Sequence, residues 1–403
     1  DYMNFFKKLY CRTYQTIFRI AIPILPYREP KILDNNGELV GVLKERNVKS
    51  VLLVTDKGIN SLGLTKSLEE EIKKENIKLT IYDGTHANPT TDDVDEALKL
   101  YYDNDCTAII AFGGGSSMDC AKAVGARVAR PNKPLGKMKG VLKVMKKTPL
   151  LIAVPTTAGT GSETTLAAVI TDSNTRHKYA INDFPLIPSY AMLDANLTVG
   201  LPKSITAATG MDALTHAVEA YIGRSTTKKT RKCALDATKL IFENLLTAYN
   251  DGGNLEARSN MLKAAYLAGV AFTVSYVGYI HAIAHSLGGK YNVAHGKANA
   301  IIMPYMLKSY GKCIYKKLWE MGVYANLFDK GTPIEVGAKI FIEKIEELNN
   351  TMQIGRTIDE IKEEDIPSLA KTAEKEANPL YPVPKLYTAE QLEKIYHEVK
   401  NGR

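Results

Sequence analysis

Seven histidines occur in the chain, and three of them, His281, His285 and His295, fall within fifteen positions of the stretch YIHAIAHSLGGKYNVAHGKANA. A fourth stands near an aspartate in GMDALTHAVEA, where Asp212 and His216 are four residues apart. On a helix an i, i+4 pair lies on one face, so Asp212 with His216, and His281 with His285, can each offer two donors to one ion. His295 follows Gly288 and Gly289, a break that would let the chain fold it back toward the others. Three imidazoles and one carboxylate suit a borderline divalent cation such as Fe(II) or Zn(II) and do not suit Mg or Ca. Five side chains are one more than a four-ligand site requires. Spacing leaves open whether His281 or His285 is the spare.

A second chemistry is carried by glycines. AFGGGSSMDCAKAVG (111–125) reads as a strand, three glycines and a helix. Glycines let a backbone approach a phosphate closely, and a helix start offers unpaired N–H groups and a positive dipole end. Met118 occupies the place of the last glycine in the GxGxxG dinucleotide fingerprint, so that motif fails. The same residues could form a plain turn closed by a capping box between Ser116 and Asp119. VPTTAGTGSE (154–163) is a further polar loop, suited to a ligand at the carboxyl end of a parallel sheet. Asp56, at the end of LLVTD, could accept from ribose hydroxyls and repel a 2′-phosphate, or could simply cap the next helix. Phe272, nine residues before His281, is a candidate wall for a small apolar substrate pocket or an ordinary core aromatic.

These residues need elements to place them. VKSVLLVTD, IKLTIYDGT, CTAIIAFGGG and TPLLIAVPTT read as strands, with helical patterns such as GLTKSLEEEIKKEN between them. Strands separated by helices indicate a parallel sheet covered on both faces. AVITDS, KYAINDF and SYAMLDAN look like further strands, partly antiparallel. After about Leu201 long Ala- and Leu-rich helical patterns take over. The expected organisation is an α/β domain over 1–200, with 1–40 as an N-terminal extension, and an all-helical domain over 201–403.

Composition narrows the function classes. The 403 residues are 45% hydrophobic and 24% charged, ordinary for a globular protein of two domains. The net charge of +8 is mild, and the lysines of KMKGVLKVMKK have no aromatics between them, so a solvated surface is expected and no nucleic-acid partner. Five scattered cysteines without CxxC spacing argue against disulfides and fit a reducing cytoplasm. No apolar run approaches a membrane span, and no membrane partner is expected. In the N-terminal FFKKLYCRTYQTIFRIAIPILPY, Arg19 and Pro23 interrupt the apolar core of any signal sequence. Phe6, Leu9, Tyr10, Ile17 and Ala21 could share a helical face there. Its expected use is packing on the protein's own body or on a second subunit, with an interfacial helix as the alternative.

GGGSSMDCAK, PTTAGTGSE, GMDALTHAVEAYI and IHAIAHSLGGKYNVAHGKANAIIMP, in this order, resemble the iron-containing (group III) alcohol dehydrogenases. The resemblance runs from about residue 48 to past 310. It implies the dehydroquinate synthase-like fold of that family: an N-terminal dinucleotide-binding α/β domain, an all-α metal-binding domain, and an active site in the cleft between. Carried over by position, the metal ligands would be Asp212, His216, His281 and His295, leaving His285 as a catalytic proton-relay group. Gly114, Gly115 and Ser116 would hold the pyrophosphate; Asn88, Asp119, Thr156, Thr157, Thr160 and Lys178 match other cofactor-contacting positions. Asp56 matches the acid associated with NAD in preference to NADP. Ala167 stands where several relatives carry a polar residue near the substrate, and AEKEANPLYPVP lacks a cysteine that many have before Asn-Pro. The implied protein is a cytoplasmic homodimer that interconverts short-chain primary alcohols or diols and their aldehydes. A zinc-dependent polyol dehydrogenase is one alternative. A sugar-phosphate lyase or cyclase is another; it would need a basic cluster beside the metal, where Lys290 and Lys297 are the nearest cations in the sequence.

Overall fold

The computed structural model describes residues 3–403. The chain divides into two compact units, Pro26–Val199 on one hand and Gly200–Arg403 with the N-terminal segment through Leu25 on the other. The first forty residues are therefore not one extension. Helix α1 (Phe5–Ala21), opened by the Asn4 side chain accepting from the Phe6 N–H, belongs with the helical unit. It turns Cys11 and Gln15 inward and leaves Phe6, Leu9, Tyr10 and Ile17 exposed. Of the two uses expected for this face, packing on the protein's own body is not the one observed, and a second subunit is left open.

The Pro26–Val199 unit begins with β1 (Lys31–Leu33), α2 (Asn36–Glu45), β2 (Ser50–Val54), α3 (Lys57–Ser61), α4 (Lys66–Lys74) and β3 (Lys78–Tyr82). It continues through α5 (Thr91–Asp103), β4 (Ala108–Gly113), α6 (Gly115–Ala129), β5 (Gly140–Val141), β6 (Leu150–Pro155), β7 (Ala167–Thr171), β8 (Lys178–Asn182) and β9 (Tyr190–Met192). Six strands form one sheet in the order β1-β9-β6-β4-β2-β3, parallel throughout. Every residue of β2 and β4 is buried, as a strand covered on both faces requires. Alternate residues feed two cores. Leu52, Val54, Ile109 and Ala111 pack with Val94, Ala97 and Leu98 of α5 and Met118 and Ala121 of α6. Val51, Leu53, Ile110 and Phe112 pack with Leu39 and Leu43 of α2 and Leu68 and Ile72 of α4. In the small second sheet, β7 and β8 pair antiparallel with Val169 opposite Ala180.

The glycine loop and the Thr-rich loop leave the carboxyl ends of the neighbouring strands β4 and β6. A fully buried lysine ties this region together. Lys122 of α6 donates from Nζ to Ser162 Oγ (3.1 Å), Thr165 Oγ1 (2.9 Å) and the Ala167 carbonyl (2.9 Å).

The helical unit holds α7 (Lys203–Ile222), α8 (Lys228–Asn250), α9 (Leu255–Ser275), α10 (Tyr279–Tyr291) and α11 (His295–Tyr310). It ends with α12 (Tyr315–Tyr324), α13 (Ile334–Thr351), α14 (Ile366–Ala377) and α15 (Ala389–Asn401). No strand follows β9 among the described residues. From Gly210 to Ile222 every residue of α7 is buried, so this helix is the centre of the unit. Its neighbour α8 comes so close that a Cβ on Gly210 would stand 2.3 Å from Leu245. Among the described residues no single helix is long and apolar enough to cross a membrane.

Replacing Lys122 by Met would leave Glu163 and Asp119 without their buried cation and three oxygens without a donor. Breaking such a buried set costs ~3–5 kcal/mol. The expected outcome for Lys122→Met is a lower urea midpoint for the α/β unit; an unchanged midpoint would show that the lysine carries no structural load.

Candidate functional site

Three helices of one unit deliver the histidine cluster. Asp212 and His216 lie one turn apart on α7, His281 on α10, and His295 opens α11. One ligand atom from each lies within 4.8 Å of the others, with Asp212, His216 and His281 buried and His295 partly exposed. Asp212 Oδ1 is 3.8 Å from His281 Nε2 and 3.4 Å from His295 Nε2. The His216 and His281 rings stack with centroids 4.5 Å apart.

His281 shows what this arrangement can hold. Its Nδ1 is 2.7 Å from Glu219 Oε2, while its buried Nε2 has no hydrogen-bond partner. Burial first, then the neighbouring His216, His295 and His285, push its pKa well below the usual histidine value. A neutral imidazole donating through Nδ1 presents a lone pair at Nε2. That lone pair is aimed into a group of two further imidazoles and a carboxylate, a donor set that fits Fe(II) or Zn(II).

Glu219 was not singled out from the sequence, and it orders the centre. Gly278 and Ile280 donate their N–H groups to its two oxygens, each at 2.8 Å, at the start of α10. A carboxylate there meets the unpaired N–H groups and the positive end of the helix. Burial raises its pKa to about 7, against the pull of these N–H groups. Gly278 is required, since a Cβ would stand 2.7 Å from Glu219 Oε1. Asn299, also missed, donates to Asp212 Oδ1 at 2.7 Å and lies 3.1 Å from His295 Nε2. Both were within reach of the spacing rule: Glu219 is three residues from His216 and Asn299 four from His295, hence on the same helix faces.

His285 stays outside the four-donor group. Its ring stacks on His295 at 5.2 Å, and its Nδ1 is 2.6 Å from Glu376 Oε1. Phe272, half-buried, lies flat on His216 with centroids 4.0 Å apart. The reversal that brings back His295 is not made by Gly288 and Gly289, which continue α10. It is made by Asn292, left-handed at φ 57°. Gly296 then lets α11 start against α7: a Cβ there would meet the Ala208 carbonyl oxygen at 2.3 Å.

The α/β unit presents a separate cradle. The capping box expected between Ser116 and Asp119 is absent, because α6 begins earlier, with Gly114 as its cap and no side-chain capping bond. The first N–H groups of the helix are thus left to a ligand. Asp119 accepts instead from Ser162 Oγ at 3.2 Å, and desolvation lifts its carboxyl to about 6 despite Lys122 and Lys178. A Cβ on Gly115 would stand 3.2 Å from Thr160, and one on Gly114 3.7 Å from Thr157 Oγ1, so the two loops face each other closely. The Thr156 N–H bonds the Gly113 carbonyl (3.0 Å). Lys178 Nζ donates to Asn88 Oδ1 at 2.8 Å. Asp56 caps α3, accepting from the Ile59 N–H at 2.9 Å, and Ala167, at the start of β7, gives its carbonyl to Lys122.

Gly296→Ala is expected to push the start of α11 from α7 and to move His295 out of reach of the other donors. Titration of the metal-free protein with Zn(II) or Fe(II) should show at least about tenfold weaker binding, with circular dichroism retained. Unchanged affinity would mean that His295 is not held by this contact.

Comparison with known proteins gives the family. Residues 30–195 match the family described as iron-containing alcohol dehydrogenase, and residues 206–399 its C-terminal part. Alcohol dehydrogenase 4 of Saccharomyces cerevisiae is 37% identical over 340 residues, covering 83% of this chain and 87% of that protein. NAD-dependent methanol dehydrogenase of Bacillus methanolicus is 36% identical over 339 residues, covering 82% and 87%. The crystal structure of a 1,3-propanediol oxidoreductase superposes with a TM-score of 0.88 at 32% identity, covering 93% of this chain and 99% of that one. By these matches the chain belongs to the iron-containing alcohol dehydrogenase family, oxidoreductases acting on CH–OH groups.

Proposed function

We propose that the protein interconverts short-chain primary alcohols or diols and their aldehydes with NAD, using one Fe(II), with Zn(II) the alternative, held by Asp212, His216, His281 and His295. The observation that carries this reading is the meeting of four donors within 4.8 Å around a buried His281 Nε2 that no protein group satisfies. The NAD-dependent relative that acts on methanol supports both the cofactor and the small substrate. When bound, the cation acidifies a hydroxyl and polarises a carbonyl, and the nicotinamide takes or returns hydride.

The chain's own groups do the rest. Asp212 supplies the one negative charge of the donor set, and Asn299 fixes its Oδ1. Glu219 holds the His281 ring in the tautomer that binds. With Nδ1 given to Glu376, His285 would accept and release the substrate proton at Nε2. Phe272 keeps the His216 ring oriented. In this reading Pro26–Val199 is the dinucleotide-binding domain and the helical unit the metal-binding one. Gly114, Gly115 and Ser116 with the start of α6 would cradle the pyrophosphate, Thr156, Thr157, Thr160 and Asp119 would line it, and Asn88 and Lys178 would act as one hydrogen-bonded pair. Asp56 would favour NAD over NADP by repelling a 2′-phosphate, and Ala167 would leave the substrate side of the loop apolar. The cyclase alternative loses ground because Lys290 is paired with Asp365 at 3.1 Å. We further propose a cytoplasmic homodimer; four buried free cysteines fit a reducing compartment.

Anaerobic purification with elemental analysis, and NADH absorbance with ethanol, butanol, propanediol and their aldehydes, test the reading. His281→Ala should lose both metal and turnover; full activity without metal would refute the assignment. His285→Ala should keep the metal and lower kcat by at least about 10²-fold. Loss of metal from the His285 variant, with metal kept by the His281 variant, would exchange their roles. Asp56→Gly should raise the kcat/KM for NADP relative to NAD, and an unchanged ratio would leave Asp56 a helix cap alone.

A further inference from the structure

The family match begins at residue 30, so α1 lies before the part of the chain that the iron-containing alcohol dehydrogenases share. It is firmly attached to the helical unit. Gln15 Nε2 donates to the Tyr381 carbonyl at 2.8 Å, and Arg12 gives its two terminal nitrogens to the Val383 and Pro384 carbonyls at 2.7 and 3.0 Å. Phe18 meets Tyr276 edge-on at 5.1 Å, and Lys7 pairs with Glu374 at 2.6 Å. Its solvent side ought then to be polar, as on any surface helix. It is the reverse. Phe6 is 76% exposed, Leu9 52%, Ile17 62% and Ile20 72%, and these four share one face at 3.6 residues per turn. Tyr10 flanks the stripe, and Ile24 just beyond the helix is 84% exposed. Of the nineteen large apolar side chains exposed among the described residues, eight lie between Phe5 and Ile24. A contiguous patch of this kind marks an interaction site.

Charge selects the occupant. The seventeen residues of α1 include Lys7, Lys8, Arg12 and Arg19 and no acid. Arg12 and Arg19 follow the stripe on one side and Lys7 on the other, while Lys8 falls beside the inward-facing Gln15. Further cations lie near Arg19: Lys317, whose pKa burial lowers to about 8, also feels the repulsion of Arg231, Arg224 and Arg19, against the pull of Glu320. Arg12, desolvated too, is repelled by Arg224. An apolar stripe beside a concentration of positive charge matches a surface that is apolar within and negative at its rim. A second copy docked about a two-fold axis would bring the same cations together, with no acid on α1 to meet them.

We propose that α1 is a docking helix for an anionic phospholipid bilayer, with Phe6, Leu9, Ile17 and Ile20 entering the acyl boundary and Arg19 meeting the headgroups. The inference is independent of the metal and cofactor assignments. The full-length protein is to be sedimented with vesicles of pure phosphatidylcholine and of equimolar phosphatidylcholine and phosphatidylglycerol, at low and high salt. Pelleting is expected with the mixed vesicles, at least about tenfold weaker with the neutral ones, and weakened by salt. The double variant Ile17→Glu/Ile20→Glu should abolish it and leave turnover unchanged. Arg19→Glu, which leaves the stripe intact, should weaken it and serves should the double variant fail to fold. Absence of pelleting with mixed vesicles, or equal pelleting with neutral ones, would overturn the proposal. So would light scattering that shows the apolar variant breaking an oligomer that the vesicles do not compete with, since the stripe would then belong to a second copy.

Discussion

A buried imidazole that donates through one ring nitrogen must present a lone pair at the other, and His281 is held to that state by Glu219. The carboxylate is fixed in turn by the N–H groups of Gly278 and Ile280, so the start of α10, the carboxylate and the ring form one hydrogen-bonded chain. Removing any member would strand a buried polar atom at a cost of ~1–3 kcal/mol. The remaining donors come to His281 because three helices approach closely. Gly278 admits Glu219, and Gly296 admits the backbone of Ala208, each where any Cβ would clash. The donor cluster is therefore a consequence of backbone proximity as much as of donor chemistry.

The α/β unit solves a different problem with ordinary means. Its parallel strands alternate side chains between two cores, and the loop after β6 buries polar residues instead, Thr156, Ser162, Glu163, Thr164 and Thr165 among them. Lys122 ties that loop down by donating to three oxygens of the segment between Ser162 and Ala167. The cap of α6 is a glycine and not a serine, and no side chain caps its first N–H groups. A helix start uncapped by its own chain is the form that an anion can complete.

Much of this was legible in the sequence where period and spacing speak directly. Strands β2, β3, β4 and β6 showed as apolar runs bounded by turn residues, and the i, i+4 pairing of Asp212 with His216 put both on one face. Three things were not legible, each for a physical reason. Whether His281 or His285 joins the cluster depends on how α10 is rotated against α7, and both have the same helical spacing. The chain reversal before His295 was assigned to the paired glycines, but glycines are tolerated inside a buried helix, while Asn292 can adopt the left-handed conformation that ends one. Residues 31–40 fell within the expected extension of 1–40 because β1 is only three residues long and its pairing with β9 is remote in sequence. Glu219 and Asn299 orient the donors and do not belong to the donor set, so metal-ligand chemistry alone does not mark them in the sequence.

Each unit keeps buried polar groups where a core of this size would be more stable without them. Lys122 is pushed down to about 8 and Glu163 up to about 7, in both cases chiefly by burial, and Glu219 is raised for the same reason. Burial thus works against the charged form of all three, and hydrogen bonds only partly offset it. Apolar side chains of equal volume would often match or exceed such groups in stability. That these stand beside the cradle loops in one unit and the donor cluster in the other is the reason to read them as holding geometry. The outer face of α1 is the converse case, apolar where water would favour polar side chains. Each departure from the pattern that folding alone would choose falls where a ligand or a surface would supply the missing partner.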